Sequence, residues 1–206
     1  MQNRALPIAS TGAVMSAAAE TLQRPRPAIV PADHPVRIEA IRELFVEYAQ
    51  SLSFNLCFQS FEEELAALPG KYAPWSGMLL LALVNDEPAG CVALRKLGTD
   101  SASEDDEILA ELHVCEMKRL YVRPQFRGVG VGRELVNAIL KCAAAIGYSR
   151  MRLDTVPSEM ATAVEMYQRL GFVEIAPYRD NPVPGAKYLE LDIRAWQATR
   201  QNARQT

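Results

Sequence analysis

Two kinds of apolar pattern alternate along the chain. From Val36 to Leu52, Ile38, Ile41, Leu44, Phe45, Tyr48 and Leu52 recur at helical spacing. Arg37, Glu39, Arg42, Glu43 and Glu47 fall between them, which predicts an amphipathic helix started by Asp33 and Pro35. A short strand near Ile29 and Val30 precedes it. A second, short helix is expected over FEEELAAL, with Ser60 and Glu63 as a capping box and Pro69-Gly70 as its stop. Met78 to Val84 is a continuous apolar run of strand length, and Asp86-Glu87 ahead of Pro88 predicts a hairpin leading to a strand from Cys91 to Leu97.

After the acidic, serine-rich stretch from Gly98 to Glu107, read as a solvated loop, comes the segment that orders the rest. The extended run LHVCEMKRLYV passes through RPQFRGVGVGR into a helix whose apolar stripe is Val131, Leu135, Ala138, Ile139, Cys142 and Ile146, closed by Gly147. MRLDT (Met151 to Thr155) reads as a strand. Pro157-Ser158 then opens a helix carrying Met160, Ala163, Val164 and Tyr167 and stopping at Gly171. Strands near Phe172 to Ile175 and Lys187 to Asp192 flank the loop PYRDNPVPGA. Hairpin-paired strands followed by strand-helix-strand-helix-strand predict an α/β (α+β) fold, a mixed sheet with helices on its faces.

The composition narrows the class of partner. With 22 Lys and Arg against 25 Asp and Glu, the net charge is −3, so no global field draws the 206-residue chain to nucleic acid or to an anionic membrane. No apolar run approaches a membrane span. Cys57, Cys91, Cys115 and Cys142 are scattered, and His34 and His113 make no metal constellation, so no metal is expected and buried thiols in the cytoplasm are. The start of the chain only faintly imitates a signal peptide, because Pro7, Ser10, Thr11 and Gly12 interrupt it. Residues 1–27 are therefore read as a disordered leader, 28–195 as one domain and 196–206 as a polar tail anchored by Trp196.

The glycine loop carries the chemistry. A strand turning through Gly128, Gly130 and Gly132 into a helix can present backbone N–H groups to an anion. A bare turn, a dinucleotide site and an S-adenosylmethionine site all compete for it. The spacing is GxGxG rather than GxGxxG, which weakens the second reading even though Asp154 ends the next strand where a ribose-binding acid could sit. The third would place a sulfonium cation among Arg123, Arg127 and Arg133. Charge sign therefore favours a polyphosphate, and GxxxxGK[ST] is absent.

Gln125-x-x-Gly128-x-Gly130 after Leu120-Tyr121-Val122 resembles the acetyl-CoA signature of the GNAT superfamily of N-acyltransferases. The later segment AVEMYQRLGF (Ala163 to Phe172) is similar to that family's late helix, and the resemblance spans about residues 35 to 193. It implies a mostly antiparallel central sheet and acetyl-CoA as co-substrate. Leu120, Tyr121 and Val122 would offer backbone groups to the pantetheine arm, and the amides of Arg127, Gly128, Val129, Gly130, Val131, Gly132 and Arg133 would cradle the pyrophosphate. A β-bulge at Lys118-Arg119 would splay two strands to admit the cofactor.

The resemblance also implies an acetyl transfer to a primary amine by direct attack in a ternary complex. Glu116 stands where some relatives carry the base, although it reads equally well as a surface ion-pair partner of Lys118. Tyr167 matches the tyrosine that protonates the departing thiolate, and a packed aromatic is its alternative. The Leu120 amide would meet the developing oxyanion. Cys115 lies on the opposite strand face from Glu116 and reads as core. The acceptor, a small-molecule or peptide amine, would be met by Tyr48, Phe54, Phe58, Tyr72 and Trp75 early and by Tyr178, Arg179 and Asn181 late. Tyr48 and Phe58 read as well as core, and Lys118 with Arg179 would suit an acceptor bearing a carboxylate. A homodimer through the last strand pair is compatible with the resemblance.

Overall fold

The computed structural model describes residues 26–56, 60–98 and 113–202. The leader up to residue 25, most of the acidic loop, and Cys57 and Phe58 lie outside them. Among the described residues, seven strands form one sheet: β1 (Ala28–Pro31), β2 (Met78–Val84), β3 (Glu87–Lys96), β4 (Val114–Val122), β5 (Arg150–Thr155), β6 (Val173–Ile175) and β7 (Lys187–Asp192). Their order is β1-β2-β3-β4-β5-β7-β6, and every pairing is antiparallel except β4 with β5. The expected mixed, mostly antiparallel sheet is what the chain forms.

Helix α1 (Pro35–Gln50) begins one residue later than Asp33 would place it. His34 is the N-cap, its Nδ1 accepting from the Val36 amide at 3.4 Å, and Asp33 pairs with Arg37 instead. At α2 (Phe61–Ala66) the capping box is absent, because Ser60 has a left-handed backbone (φ 50°) in place of the extended geometry that cap requires. The hairpin is tighter than expected. Asn85 and Asp86 both take positive φ, the signature of a two-residue turn matched to strand twist, so β3 starts at Glu87.

Helices α3 (Val131–Ile146) and α4 (Pro157–Leu170) each end on a left-handed glycine, Gly147 and Gly171. In α4, Met160 departs from helical geometry and Tyr167 is the buried residue of the expected stripe. Where a polar tail was expected, Ile193–Asn202 forms helix α5; it buries Trp196, and the Arg200 guanidinium reaches the Asn137 amide oxygen at 3.1 Å.

The two sheet faces differ. On one, Leu80, Val92, Leu94, Met117, Met151, Leu153 and Leu189 pack against the Leu135, Ile139 and Leu140 stripe of α3, with Tyr167, Phe172 and Trp196 at its margin. Each such aliphatic side chain contributes about 1.5–3 kcal/mol. On the other, Leu79, Leu81, Cys91, Ala93 and Tyr121 meet Ile41, Leu44 and Phe45 of α1. Alternation along β3, β4, β5 and β7 turns Arg95, Glu116, Lys118, Arg152, Asp154 and Glu190 toward this second face, beyond the edge of α1.

Candidate active site

The site is opened by a single irregularity in β4. Its register with β3 slips between the pairs Cys91–Tyr121 and Ala93–Lys118, which leaves an extra residue on β4, and Arg119 adopts a left-handed backbone (φ 55°). A left-handed non-glycine residue costs about 1–2 kcal/mol. The offset is visible in the side chain, whose Nε and Nη2 donate to both oxygens of Glu64 at 2.8 and 2.9 Å. Burial pushes the Glu64 pKa up, but Arg119 outweighs it and holds the carboxylate below its usual range. Gly90 lets β4 approach after the bulge, since a Cβ there would meet the Tyr121 carbonyl oxygen at 2.4 Å.

On its other side β4 parts from β5. The parallel ladder runs Val114–Arg150, Cys115–Met151, Glu116–Arg152 and ends, although β4 continues to Val122 and β5 to Thr155. The cleft between them encloses about 560 Å³ of space, part of it open to solvent. Met117 to Leu120 and Leu153 to Val156 line its sides, Tyr48, Phe54 and Leu56 one wall, and Met160, Tyr167 and Asn181 the other. Of the expected acceptor aromatics, Tyr48 and Phe54 therefore reach the cleft. Tyr72 is core, 1% exposed, and Trp75 is 93% exposed on a turn that does not line the cleft.

Beyond the bulge, Leu120, Tyr121 and Val122 lead through a 3₁₀ turn (Pro124–Phe126) to the glycines. Gly128 and Gly130 have φ of 78° and 92°, values that L side chains rarely adopt, and Gly130 caps α3. The first amides of α3 have no intrahelical acceptor, and they carry the positive end of a 16-residue helix. The arginines are more occupied than their spacing implies. Arg123 donates to Glu47 at 2.7–3.1 Å and to the Pro88 carbonyl at 2.8 Å, so it braces the loop against α1 and does not face a ligand. The Arg127 amide donates to the Pro124 carbonyl and its Nε to that of Val122. Arg133 is exposed at the helix start.

Tyr167 is 5% exposed and stacks on Phe172 with ring centroids 5.5 Å apart. Burial, with smaller contributions from Tyr48 and Asp154, pushes its pKa well up, so the phenol holds its proton at neutral pH. Burial likewise raises Tyr48 to about 12.

Glu116 belongs to a different structure, a buried ionic cluster behind the cleft. It is fully buried and accepts from Arg95 Nε at 2.7 Å and Tyr178 Oη at 2.9 Å, with Arg179 at 3.5 Å and Lys118 at 4.0 Å. Burial raises its pKa, but Lys118, Arg95 and Arg179 together outweigh burial and keep it ionised. The surface pair with Lys118 is thus replaced by an interior one with Arg95. A carboxylate so surrounded is a poor proton acceptor. Tyr178 and Arg179 stand in this cluster, and Arg179 Nη2 lies 2.7 Å from Asp154. Arg95 follows the apolar run of β3 and carries the signal of a charged residue at a buried strand position, whereas Asp154, in a strand that also holds Arg150 and Arg152, carries no such signal.

The sequence profile described as the acetyltransferase (GNAT) family matches residues 38–172. The chain belongs to the GNAT family. An uncharacterized N-acetyltransferase of Schizosaccharomyces pombe is 36% identical over 160 residues, covering 77% of this chain and 90% of the relative. One of Dictyostelium discoideum is 29% identical, covering 71% and 89%. Among solved structures, a Salmonella typhimurium acetyltransferase with its cofactor acetyl-CoA has a TM-score of 0.61 at 18% identity, covering 81% of this chain and 94% of that one, a likeness of fold. With membership in this family of acyl-CoA N-acyltransferases, the dinucleotide and S-adenosylmethionine readings of the loop fall away.

Proposed function

We propose that this GNAT protein transfers the acetyl group of acetyl-CoA to the primary amine of a small molecule or peptide by direct attack. The observation that carries the reading is the β4–β5 splay, which opens a cleft lined by Tyr167, on a strand that leads in sequence to two left-handed glycines and a helix start. The group fits these residues, because two left-handed glycines and the helix start offer amides to a pyrophosphate while an extended strand continues from them into the cleft.

Leu120, Tyr121 and Val122 would hold the pantetheine arm, and Gly128, Val129, Gly130, Val131, Gly132 and Arg133 the pyrophosphate. Arg127 acts through its brace to the Val122 carbonyl. When bound, acetyl-CoA supplies an activated acyl carbon and a thiolate leaving group. The Leu120 amide, just past the bulge, would donate to the oxygen on which charge gathers. Tyr167 gives its proton to the departing sulfur. Glu116 keeps the strand and its cations in place, and the acceptor's proton leaves through water at the cleft. The free thiols of Cys91, Cys115 and Cys142 suit a cytoplasmic enzyme. A homodimer would use the short edge strand β6, where Val173 is exposed.

An amine panel followed by thiol release from acetyl-CoA tests the reading. Turnover with at least one amine is expected, and Tyr167→Phe should lower kcat by roughly 10²–10³ with little change in acetyl-CoA affinity. Tight acetyl-CoA binding without thiol release from any amine would instead mark an acyl-CoA-binding module.

A further inference from the structure

We infer that the Tyr48 hydroxyl holds the acceptor's amine nitrogen, on the side of the cleft opposite to the cofactor. The inference rests on the proposed acetyl transfer and adds a residue to its reaction centre. The two tyrosines that line the cleft come from opposite faces of the sheet. Tyr167 belongs to the core covered by α3, the helix that the glycines start, whereas Tyr48 packs with the α1 core on the other face. A cofactor held on the glycine side therefore leaves Tyr48 to the second substrate.

The other polar side chains of the cleft are engaged within the protein. Arg119 donates to both oxygens of Glu64 at 2.8 and 2.9 Å. Asp154 accepts from Asn181 Nδ2 at 2.9 Å, with Arg179 Nη2 at 2.7 Å and Lys118 Nζ at 3.4 Å. The Asn181 amide oxygen takes the Val183 N–H at 3.0 Å, and the Thr155 hydroxyl lies 3.6 Å from the Met160 sulfur. Tyr48 and Tyr167 are held by their rings instead, on Tyr121 and Phe172 with centroids 6.1 and 5.5 Å apart, and among the described residues their hydroxyls form no hydrogen bond.

Two open hydroxyls match the two heteroatoms whose protonation changes in the transfer. As the N–C bond forms and the C–S bond breaks, the sulfur takes the Tyr167 proton and the nitrogen gives one to water. Tyr48 feels the charges of Arg119 on β4 and Asp154 on β5, and Tyr167 feels Tyr48 in turn, as expected of a hydroxyl directed into the cleft. Burial raises its pKa to about 12, so at neutral pH the phenol keeps its proton and is no base. Its oxygen can still accept an amine N–H, which fixes the nitrogen with its lone pair free to meet the acyl carbon. Phe54 and Leu56, on the same wall, would cover the rest of the acceptor.

The test offers hexylamine, phenethylamine, spermidine, leucine and leucine amide to the full chain, follows thiol release from acetyl-CoA, and carries the fastest amine into Tyr48→Phe. That variant keeps the ring on Tyr121 and loses the hydroxyl alone. The expected result is a kcat/KM for the amine roughly ten- to a hundredfold lower, most of it in KM, with acetyl-CoA affinity by calorimetry near wild type. The pH profile of kcat/KM should fall as a whole and keep its shape, because a phenol that keeps its proton adds no titration. Unchanged kcat/KM in Tyr48→Phe would overturn the inference and leave acetyl transfer standing. An ascending limb lost with the hydroxyl would overturn it too, by making Tyr48 a base, and so would a parallel loss of acetyl-CoA affinity, by placing Tyr48 on the cofactor side. Silence of the wild type toward every amine would overturn the transferase reading and this inference with it.

Discussion

The two sides of the β4–β5 cleft are built from different materials. The side proposed for the cofactor is backbone: two left-handed glycines, a helix start and a strand freed from its neighbour within one contiguous stretch. The side proposed for the acceptor is side-chain charge, gathered from β3, β4, β5 and the loop before β7 into a buried cluster around Glu116 and Asp154. A backbone site tolerates many side chains and binds what every member of a family shares. A charge cluster is specific to its chain, and it is expensive to break.

The largest expected effect follows from that difference. Glu116→Ala would remove the carboxylate that Arg95, Lys118 and Arg179 share, and the loss of one partner from a buried ionic group costs about 3–5 kcal/mol, read by urea unfolding. A loss below about 1 kcal/mol would show that the cluster does not hold the acceptor side together.

The cofactor side should respond in binding more than in stability. Gly130→Val forces a β-branched residue to φ 92°, which should cost about 1–3 kcal/mol of stability and weaken acetyl-CoA binding at least about tenfold by calorimetry. If the affinity held, the loop would not be the cradle.

Acid sharpens the comparison further. Glu116 and Asp154 are held below their ordinary values of 4.5 and 3.8, so in the unfolded chain they take up protons at higher pH than in the folded one. Their contribution to stability is complete above those ordinary values and is lost as pH falls below them toward the depressed folded values. Wild type should lose stability through that window, and Glu116→Gln should lose it less steeply. The smallest effect belongs to a control outside both sides. Arg169→Ala breaks an exposed pair with Glu165 on α4 and should change stability by no more than about 0.5 kcal/mol.

The same contrast explains what could be read from the sequence. Strand, glycines and helix are adjacent in the chain, and Gly128 and Gly130 announce their backbone requirement by being glycine, so the left-handed glycine turn and the bulge beside Arg119 were legible. That the sheet is mixed, with helices on its faces, followed from the pattern of strands and helices; the placing of β7 between β5 and β6 did not. The acceptor side was not legible in the same way. Glu116 shows its partners only when β3 brings Arg95 and the late loop brings Tyr178 and Arg179, residues 21, 62 and 63 positions away. Arg123 looked like a phosphate ligand by proximity to the glycines, and Glu47, distant in sequence on α1, claims it. Local chemistry is printed in the chain, whereas pairing between distant charges waits on the fold.

Amide hydrogen exchange with and without acetyl-CoA tests the division between the two sides most directly. Protection by acetyl-CoA is expected at Leu120 to Val122 and Gly128 to Arg133, with the β5 and late-loop segments around Asp154 and Arg179 unchanged until an acceptor is added. Protection confined to the charged cluster, or absent from the glycine loop at saturating acetyl-CoA, would contradict it.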